Sequence, residues 1–481
     1  MRFRAVKLFP LLLPAFLAVA SVTAAADLPN LGEADRVYLS HRQEQALGAA
    51  IMRDIHVDPR YVHDAQIEAY VNELGYRLVA NSPENSQAFR FFVLHDPTIN
   101  AFALPGGFIG IHTGTILAAQ DESELAAVLA HEIGHVVQHH VARSIAEQSR
   151  SLWPTLAAMA LGLLAARSNP DIAGAAITGA QAAAVQNQLA HSREHEEEAD
   201  RIGFEILVKS GFDPHDMVAF FRRLQRENQL YGYDAPVYLR DHPLTSERIA
   251  DMAARADRLP YKQVLSSENF YLVRARIRAQ EGSAQDALAY FRGVVDDKRY
   301  TRKEAALYGL AVAYLRTGQP ARAQAPAEEA ARLAQSPMLI KLLAKIAAAT
   351  GKMRQAAALY RHGLDLYPNY HPLAYAYAEL LIEEKQPAAA LGFLQPLLVR
   401  RTGEARLWLL AAQSYALLGK TLASHQAQAE ALALEGNYRA AIEQIDLGLK
   451  SGEGDFYTVS AAEAKKREWR ALLTEQQAAL K

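Results

Sequence analysis

His131-Glu132-Ile133-Gly134-His135 sets two imidazoles four residues apart, with a carboxylate beside the first. The surrounding run has apolar residues at Leu125, Val128, Leu129, Ile133 and Val136, the spacing of a buried helix. Positions i and i+4 share a helix face, so both histidines can hold one metal ion through nitrogens about 2.0–2.1 Å away. Glu132 lies next to the first ligand and cannot easily reach the ion. It is placed to take a proton from metal-bound water, as a general base. Asp121-Glu-Ser-Glu124 has the D-x-x-E form of a capping box, which predicts where this helix begins. On spacing alone, a helix that carries these three residues by chance is the competing reading.

Catalytic zinc calls for three protein ligands and one open position. Ser192-Arg-Glu-His-Glu196-Glu-Glu-Ala-Asp200 offers an E-x-x-x-D on a second helix, with Glu196 and Asp200 one turn apart. Glu196 completes a His131, His135, Glu196 set holding one Zn²⁺ per chain. Asp200 can bond the far nitrogen of a liganding histidine and so fix its tautomer. Read by themselves, Glu194, Glu196, Glu197 and Glu198 are a solvated acidic face; only the upstream motif favours a ligand. His139 and His140 follow that motif and read as structural. His242 precedes Pro243, which predicts a turn or extended segment for it.

The pair H-E-x-x-H and E-x-x-x-D resembles the metallopeptidase family that contains the CAAX-prenyl proteases and the HtpX-like heat-shock proteases. Asn100-Ala-Phe-Ala-Leu-Pro-Gly-Gly-Phe-Ile-Gly-Ile-His-Thr-Gly114 and Asp241-His242-Pro243 followed by Glu247-Arg248-Ile249 are also similar to it. The resemblance spans roughly residues 35–255. It implies an α+β zincin-like domain, mostly helical with a small sheet, acting as a zinc endopeptidase on proteins. It further implies that His242 approaches the metal, either supporting the oxyanion or blocking the open site. Phe108, Ile109, Gly110 and Ile111 would form an edge strand that binds substrate by main-chain hydrogen bonds. From the residues alone that strand could equally be internal. An exported member with a repeat tail implies misfolded or stalled outer-membrane β-barrel proteins as substrates, with their assembly machinery as partner.

The elements that must position these groups are legible around them. Val71, Leu74, Leu78 and Val79 share one face of a helix within 37–80. Phe89 to Leu94, Asn100 to Leu104 and Phe108 to His112 read as strands, the last two joined by the turn Pro105-Gly-Gly. Met1 to Ala26 has the charged, apolar and A-x-A regions of a cleaved signal peptide, with an N-terminal anchor as the alternative. That expectation, with no cysteine in the chain, points to the periplasm of a Gram-negative bacterium. Residues 152–190 are apolar but interrupted, which predicts a buried helical hairpin or a lid, with shallow membrane-surface contact as the alternative. A net charge of −2 argues against a nucleic-acid surface as the main partner.

From Ser266 onward, turns recur at Gly282, Gly318, Gly351, Lys385 and Gly419, spaced 36, 33, 34 and 34. Ala287, Ala323, Ala356 and Ala390 each follow a turn by five residues. These are tetratricopeptide-like repeats, an all-α array whose concave face suits peptides or partner proteins. The expected domains are a leader at 1–26, a metallopeptidase part at 27–262 and repeats at 266–481. The rival to an enzyme is a repeat-based chaperone with vestigial proteolysis, against which stands the full retention of Glu132 and all three ligands.

Overall fold

The computed structural model describes residues 40–84, 88–147, 193–231, 237–260 and 262–479. The expected leader and the stretch at 152–190 lie outside the described residues. Helices α1 (His41–His56) and α2 (Ala65–Val79) lead into strands β1 (Arg90–Leu94), β2 (Ala101–Leu104) and β3 (Phe108–His112). Then follow α3 (Thr113–Ala118), α4 (Glu122–Val137), α5 (His140–Glu147), α6 (Arg193–Lys209), α7 (Pro214–Tyr231), α8 (Val237–Asp241) and α9 (Ser246–Ala256).

The strand order is β1-β3-β2, with β1 parallel and β2 antiparallel to β3. Alternation divides β1 between two cores. Phe91 and Val93 face α2 and α4, while Phe92 and Leu94 pack with Leu47, Ile51 and Ile55 of α1. The sheet is therefore a buried layer between helices. Gly106 (φ 78°) and Gly107 (φ 83°) make the β2–β3 turn, where a side chain would be strained.

This order corrects the expectation for Phe108, Ile109, Gly110 and Ile111. β3 is the central strand, all five of its residues are buried, and both sides of its backbone are taken by β1 and β2. It has no edge to offer a substrate. The outer side of β1 is also covered: Tyr61 bridges Leu94, and the Asn72 side chain bonds the Phe91 main chain. β2 is different. His112 N donates to Asn100 O, so by antiparallel alternation Phe102 and Leu104 bond to β3. The N–H and C=O groups of Ala101 and Ala103 then point away from β3. Tyr238 N already takes Ile99 O on that side and Ala101 is fully buried, so only the half-buried stretch at Ala103 is left partly open.

The repeats form six helical hairpins: α10 (Glu268–Gln280) with α11 (Ala284–Asp296), α12 (Lys303–Arg316) with α13 (Pro320–Leu333), and α14 (Pro337–Ala349) with α15 (Met353–Leu366). They continue as α16 (His371–Glu383) with α17 (Pro387–Arg400), α18 (Ala405–Leu417) with α19 (Thr421–Leu434), and α20 (Tyr438–Leu449) with α21 (Phe456–Ala479). Gly282, Gly318, Gly351, Lys385 and Gly419 all have positive φ, the left-handed turn that the period marks. Small Ala287, Ala323, Ala356 and Ala390 are all buried.

The array is not held at arm's length. A single hydrophobic core runs from Ile67, Tyr70 and Leu74 of α2 into Phe270, Leu307, Met338 and Ile346 of the repeats. Asp64, the N-cap of α2, meets Arg276 (2.6 Å) and Gln280 (2.7 Å) of α10. At the far end Arg53 of α1 donates to Gly436 O at 3.4 Å.

Candidate metal centre

The centre is built where α4 crosses α6, and two glycines let the helices close. A Cβ on Gly134 would stand 2.8 Å from Ala199 O; one on Gly203 would stand 3.0 Å from the backbone of Ala130 and His131. Asp121 caps α4 by accepting from Glu124 N (2.9 Å), as the capping pattern predicts. The reciprocal bond differs: the Glu124 carboxylate accepts from Gln120 N and from Arg223.

His131, Glu132 and His135 are fully buried, and Glu196, Asp200 and His242 nearly so. Four donors converge from three pieces of chain: His131 and His135 on α4, Glu196 on α6, and His242 just after α8. Their ligand atoms all lie within 4.8 Å of one another. His135 Nε2 is 3.0 Å from His131 Nε2, and Glu196 Oε2 is 3.4 Å from the latter. His242 Nδ1 is 3.0 Å from Glu196 Oε1 and 3.4 Å from His131 Nε2. A tetrahedral ion with bonds of about 2.0–2.1 Å has ligand-to-ligand edges of about 3.3–3.4 Å. The separations of 3.0–3.4 Å lie near those edges, so the four donors are grouped closely enough to close on one such ion.

Charge agrees with geometry. Glu132, Glu196 and Asp200 are three buried carboxylates facing one buried guanidinium, Arg248. The deficit of two is the charge of a divalent cation, and buried charge needs a partner. Without the ion the imidazoles take up protons instead. Burial opposes this at His131, yet Asp200 and Glu196 carry it up to about 10. His242 is likewise raised by Glu196 and Glu132 against its burial. Burial pushes Glu196 up, but His242, His135 and His131 outweigh it and hold the carboxyl well below its ordinary range.

Glu132 stands apart from the donor set. Neither of its oxygens has a hydrogen-bond partner among the described residues, and the closest cationic group is His242 Nε2, 3.5 Å from Oε1. Burial raises its pKa, which His242 and His131 partly offset. A carboxylate buried without hydrogen bonds is costly, and such a cost is characteristic of a working group.

A second ring of contacts orients the donors. Asp200 Oδ1 is 3.0 Å from His131 Nδ1, the arrangement anticipated from the sequence. His140, read there as structural, sets its Nδ1 2.9 Å from Nδ1 of His135 and its Nε2 3.1 Å from Glu198. Arg248 went unnoticed as a site residue: it grips Asp200 through two bonds and approaches Glu196 Oε2 at 2.8 Å. Its sequence signal is its place in Glu247-Arg248-Ile249, the family-like stretch that follows His242, which gives it no role. His139, at φ 53°, turns away toward Glu44 (3.5 Å). Phe108 to Ile111 are not in the donor cluster.

Two crossed helices that present H-E-x-x-H and E-x-x-x-D around one convergent His/Glu set define a metallopeptidase. The chain belongs to peptidase family M48, whose pattern matches residues 63–256, and a tetratricopeptide-repeat pattern matches 347–414. It is similar to the beta-barrel assembly-enhancing protease of Escherichia coli, 31% identical over 443 residues, which covers 89% of this chain and 88% of that one. The Yersinia pestis protein of the same name is 31% identical over 419 residues, 86% of each chain. The mitochondrial metalloendopeptidase OMA1 of Schizosaccharomyces pombe is 32% identical over 191 residues, 37% of this chain and 50% of that one. That similarity covers little more than a third of this chain, and a metal cofactor belongs to the family.

Proposed function

We propose that the chain is a zinc endopeptidase of the Gram-negative periplasm that acts on outer-membrane β-barrel proteins during their assembly, removing misfolded or stalled ones. The observation that carries the peptidase reading is the convergence of His131, His135, Glu196 and His242 beside an unbonded, buried Glu132. The assembly role is supported by the names of relatives that match over most of the chain, with the repeats as the surface for the assembly machinery. Among the described residues no helix is long and apolar enough to cross a membrane.

Zinc held by His131, His135 and Glu196 would supply Lewis acidity to a water and to the scissile carbonyl. Glu132 takes the proton of the attacking water and returns it to the departing amine. Its raised pKa suits both halves of that transfer. Asp200 fixes the His131 ring, and His140 the His135 ring. An extended substrate pairs with the outward main-chain groups of half-buried Ala103 on β2, in place of the strand expected from the sequence.

His242 supports a latent state. Its Nδ1 lies among the three donors, so His242 would act as a fourth ligand and occupy the position that water needs, and turnover would then call for its segment to move away. The test is metal analysis and cleavage of an unfolded β-barrel protein by wild type, Glu132→Gln and His242→Ala. About one zinc in all three, no cleavage by the first variant and faster basal cleavage by the second is the expected result. Slower cleavage by His242→Ala at full zinc content would instead make His242 an oxyanion-supporting group. Undiminished cleavage by Glu132→Gln would move the base elsewhere.

A further inference from the structure

The three pieces of chain that carry the donors are not equally secured. α4 and α6 are locked by their glycine contacts at Gly134 and Gly203. The segment with His242 is short and irregular. Its main chain is tied by Tyr238 N to Ile99 O (3.1 Å) and by His242 N to Tyr238 O (2.7 Å). Pro243 has no N–H to give, so its carbonyl is the remaining handle, and Arg248 Nη1 donates to it at 2.7 Å.

The same guanidinium reaches three residues at once. Nε and Nη2 grip the two oxygens of Asp200 at 2.7 and 2.8 Å, and Nη1 lies 2.8 Å from Glu196 Oε2 as well as on Pro243 O. Its own backbone is anchored, since Arg248 N donates to the N-cap Thr245 Oγ1. The side chain is buried to 3% exposure, so water does not compete for these acceptors.

We propose that Arg248 is the positioning residue that holds the closed arrangement together: it fastens the His242 segment to Glu196 and Asp200, and it does so without the metal. The proposal rests on the reading of His131, His135, Glu196 and His242 as the metal-binding set. A planar fork can hydrogen-bond Asp200 and the Pro243 carbonyl in fixed directions while pairing its charge with Glu196, whereas an ammonium is a point donor on a flexible stem. Lysine at 248 would keep the charge and lose the shape. Opening of the site then means breaking the Arg248–Pro243 contact, while the contacts to Asp200 and Glu196 keep the ligand helix in order. Arg248 touches no reacting atom.

The experiment uses the full chain and reads three quantities: amide hydrogen exchange over 238–246, the rate of zinc release to a chelator, and the visible spectrum of the cobalt-substituted protein. In wild type, stripping zinc should leave 238–246 protected, because the tie is Arg248. In Arg248→Lys, the same amides should exchange faster with or without metal. Zinc should leave about 10–100-fold faster, the usual consequence of losing a group behind the ligands. The cobalt spectrum should shift toward that of His242→Ala. The proposal is overturned if zinc removal from wild type alone frees 238–246, or if Arg248→Lys matches wild type in release and spectrum. Should Arg248→Lys fail to fold, the wild-type comparison still decides. A wild-type protein that binds no zinc would sink the metal reading instead, leaving the exchange comparison to judge Arg248.

Discussion

Glu132 and Glu196 are both buried glutamates within a few ångströms of the same imidazoles, yet their surroundings assign them opposite work. Glu196 is contacted by His131, His135, His242 and Arg248, all cationic or metal-facing, so its charge is fixed. Glu132 has no hydrogen-bond partner among the described residues, so its proton can come and go. Glu132→Gln should keep about one zinc and the wild-type melting temperature while lowering kcat by at least about 10²–10⁴, the worth of a general base. Glu196→Gln should lose zinc, since it removes one of the few ligands. Metal content and kcat measured side by side separate the two roles, and equal zinc in Glu196→Gln and wild type would refute its assignment. Both residues were legible from spacing, because a helix converts i, i+4 into a shared face with no knowledge of the rest. Arg248 was not. Its carboxylate partners Asp200 and Glu196 lie on another helix, Asp200 48 residues back, and an isolated arginine has no periodic signature.

At the scale of elements, the ligand set is only as well placed as the crossing of α4 and α6. Gly203 meets the backbone of Ala130 and His131, atoms that cannot rotate aside. Gly203→Ala should part the helices by a few tenths of an ångström, destabilise the fold by about 1–3 kcal/mol as overpacking does, and weaken zinc binding along with it. Chemical denaturation and chelator competition would check this; normal zinc affinity in a destabilised protein would show that the site tolerates the shift. The sheet shows where sequence reading stops. All three strands and the Pro105-Gly-Gly turn could be read from β-branched, aromatic and turn residues. Their order could not, because pairing depends on contacts between distant segments, and a fully buried central strand looks like any apolar run. The partly open side of β2 yields its own prediction. Ala103→Pro removes an outward N–H that β3 does not use, and proline is tolerated on such an edge. It should raise KM for an unfolded protein substrate several-fold with zinc and stability near wild type, whereas an unchanged KM would take β2 out of substrate binding.

At the scale of the whole molecule, the first repeats and the metallopeptidase part share one hydrophobic core, the later repeats have clusters of their own, and ionisable groups sit in the seam between the two parts. Asp64 and Glu68, one turn apart on α2, respond in opposite directions. Burial pushes Asp64 up, but Arg276 and Gln280 more than offset it and hold the carboxyl below its usual range. Glu68 has no such clamp. Burial drives it up to about 7 from 4.5, Arg406 opposes only weakly, and Asp64 adds to the rise. An acid whose folded pKa exceeds its unfolded one binds its proton more tightly when folded, so ionising it costs stability. The loss begins above pH 4.5, grows to about pH 7 and stays above it. Lys341, lowered to about 7 chiefly by burial, remains protonated in both states over most of that window and adds little slope there. Glu68→Gln keeps the shape and removes the titration. Its melting temperature should match wild type near pH 4.5 and exceed it at pH 8, by an amount worth about 1–3 kcal/mol once partial exposure is discounted. Because the first repeats share the core of the metallopeptidase part, the gain should appear in the transition that unfolds the two together. A stabilisation that is equal at both pH values would mean that Glu68 does not titrate in the seam, and separate transitions for the two would mean that the first repeats unfold independently of the metal centre.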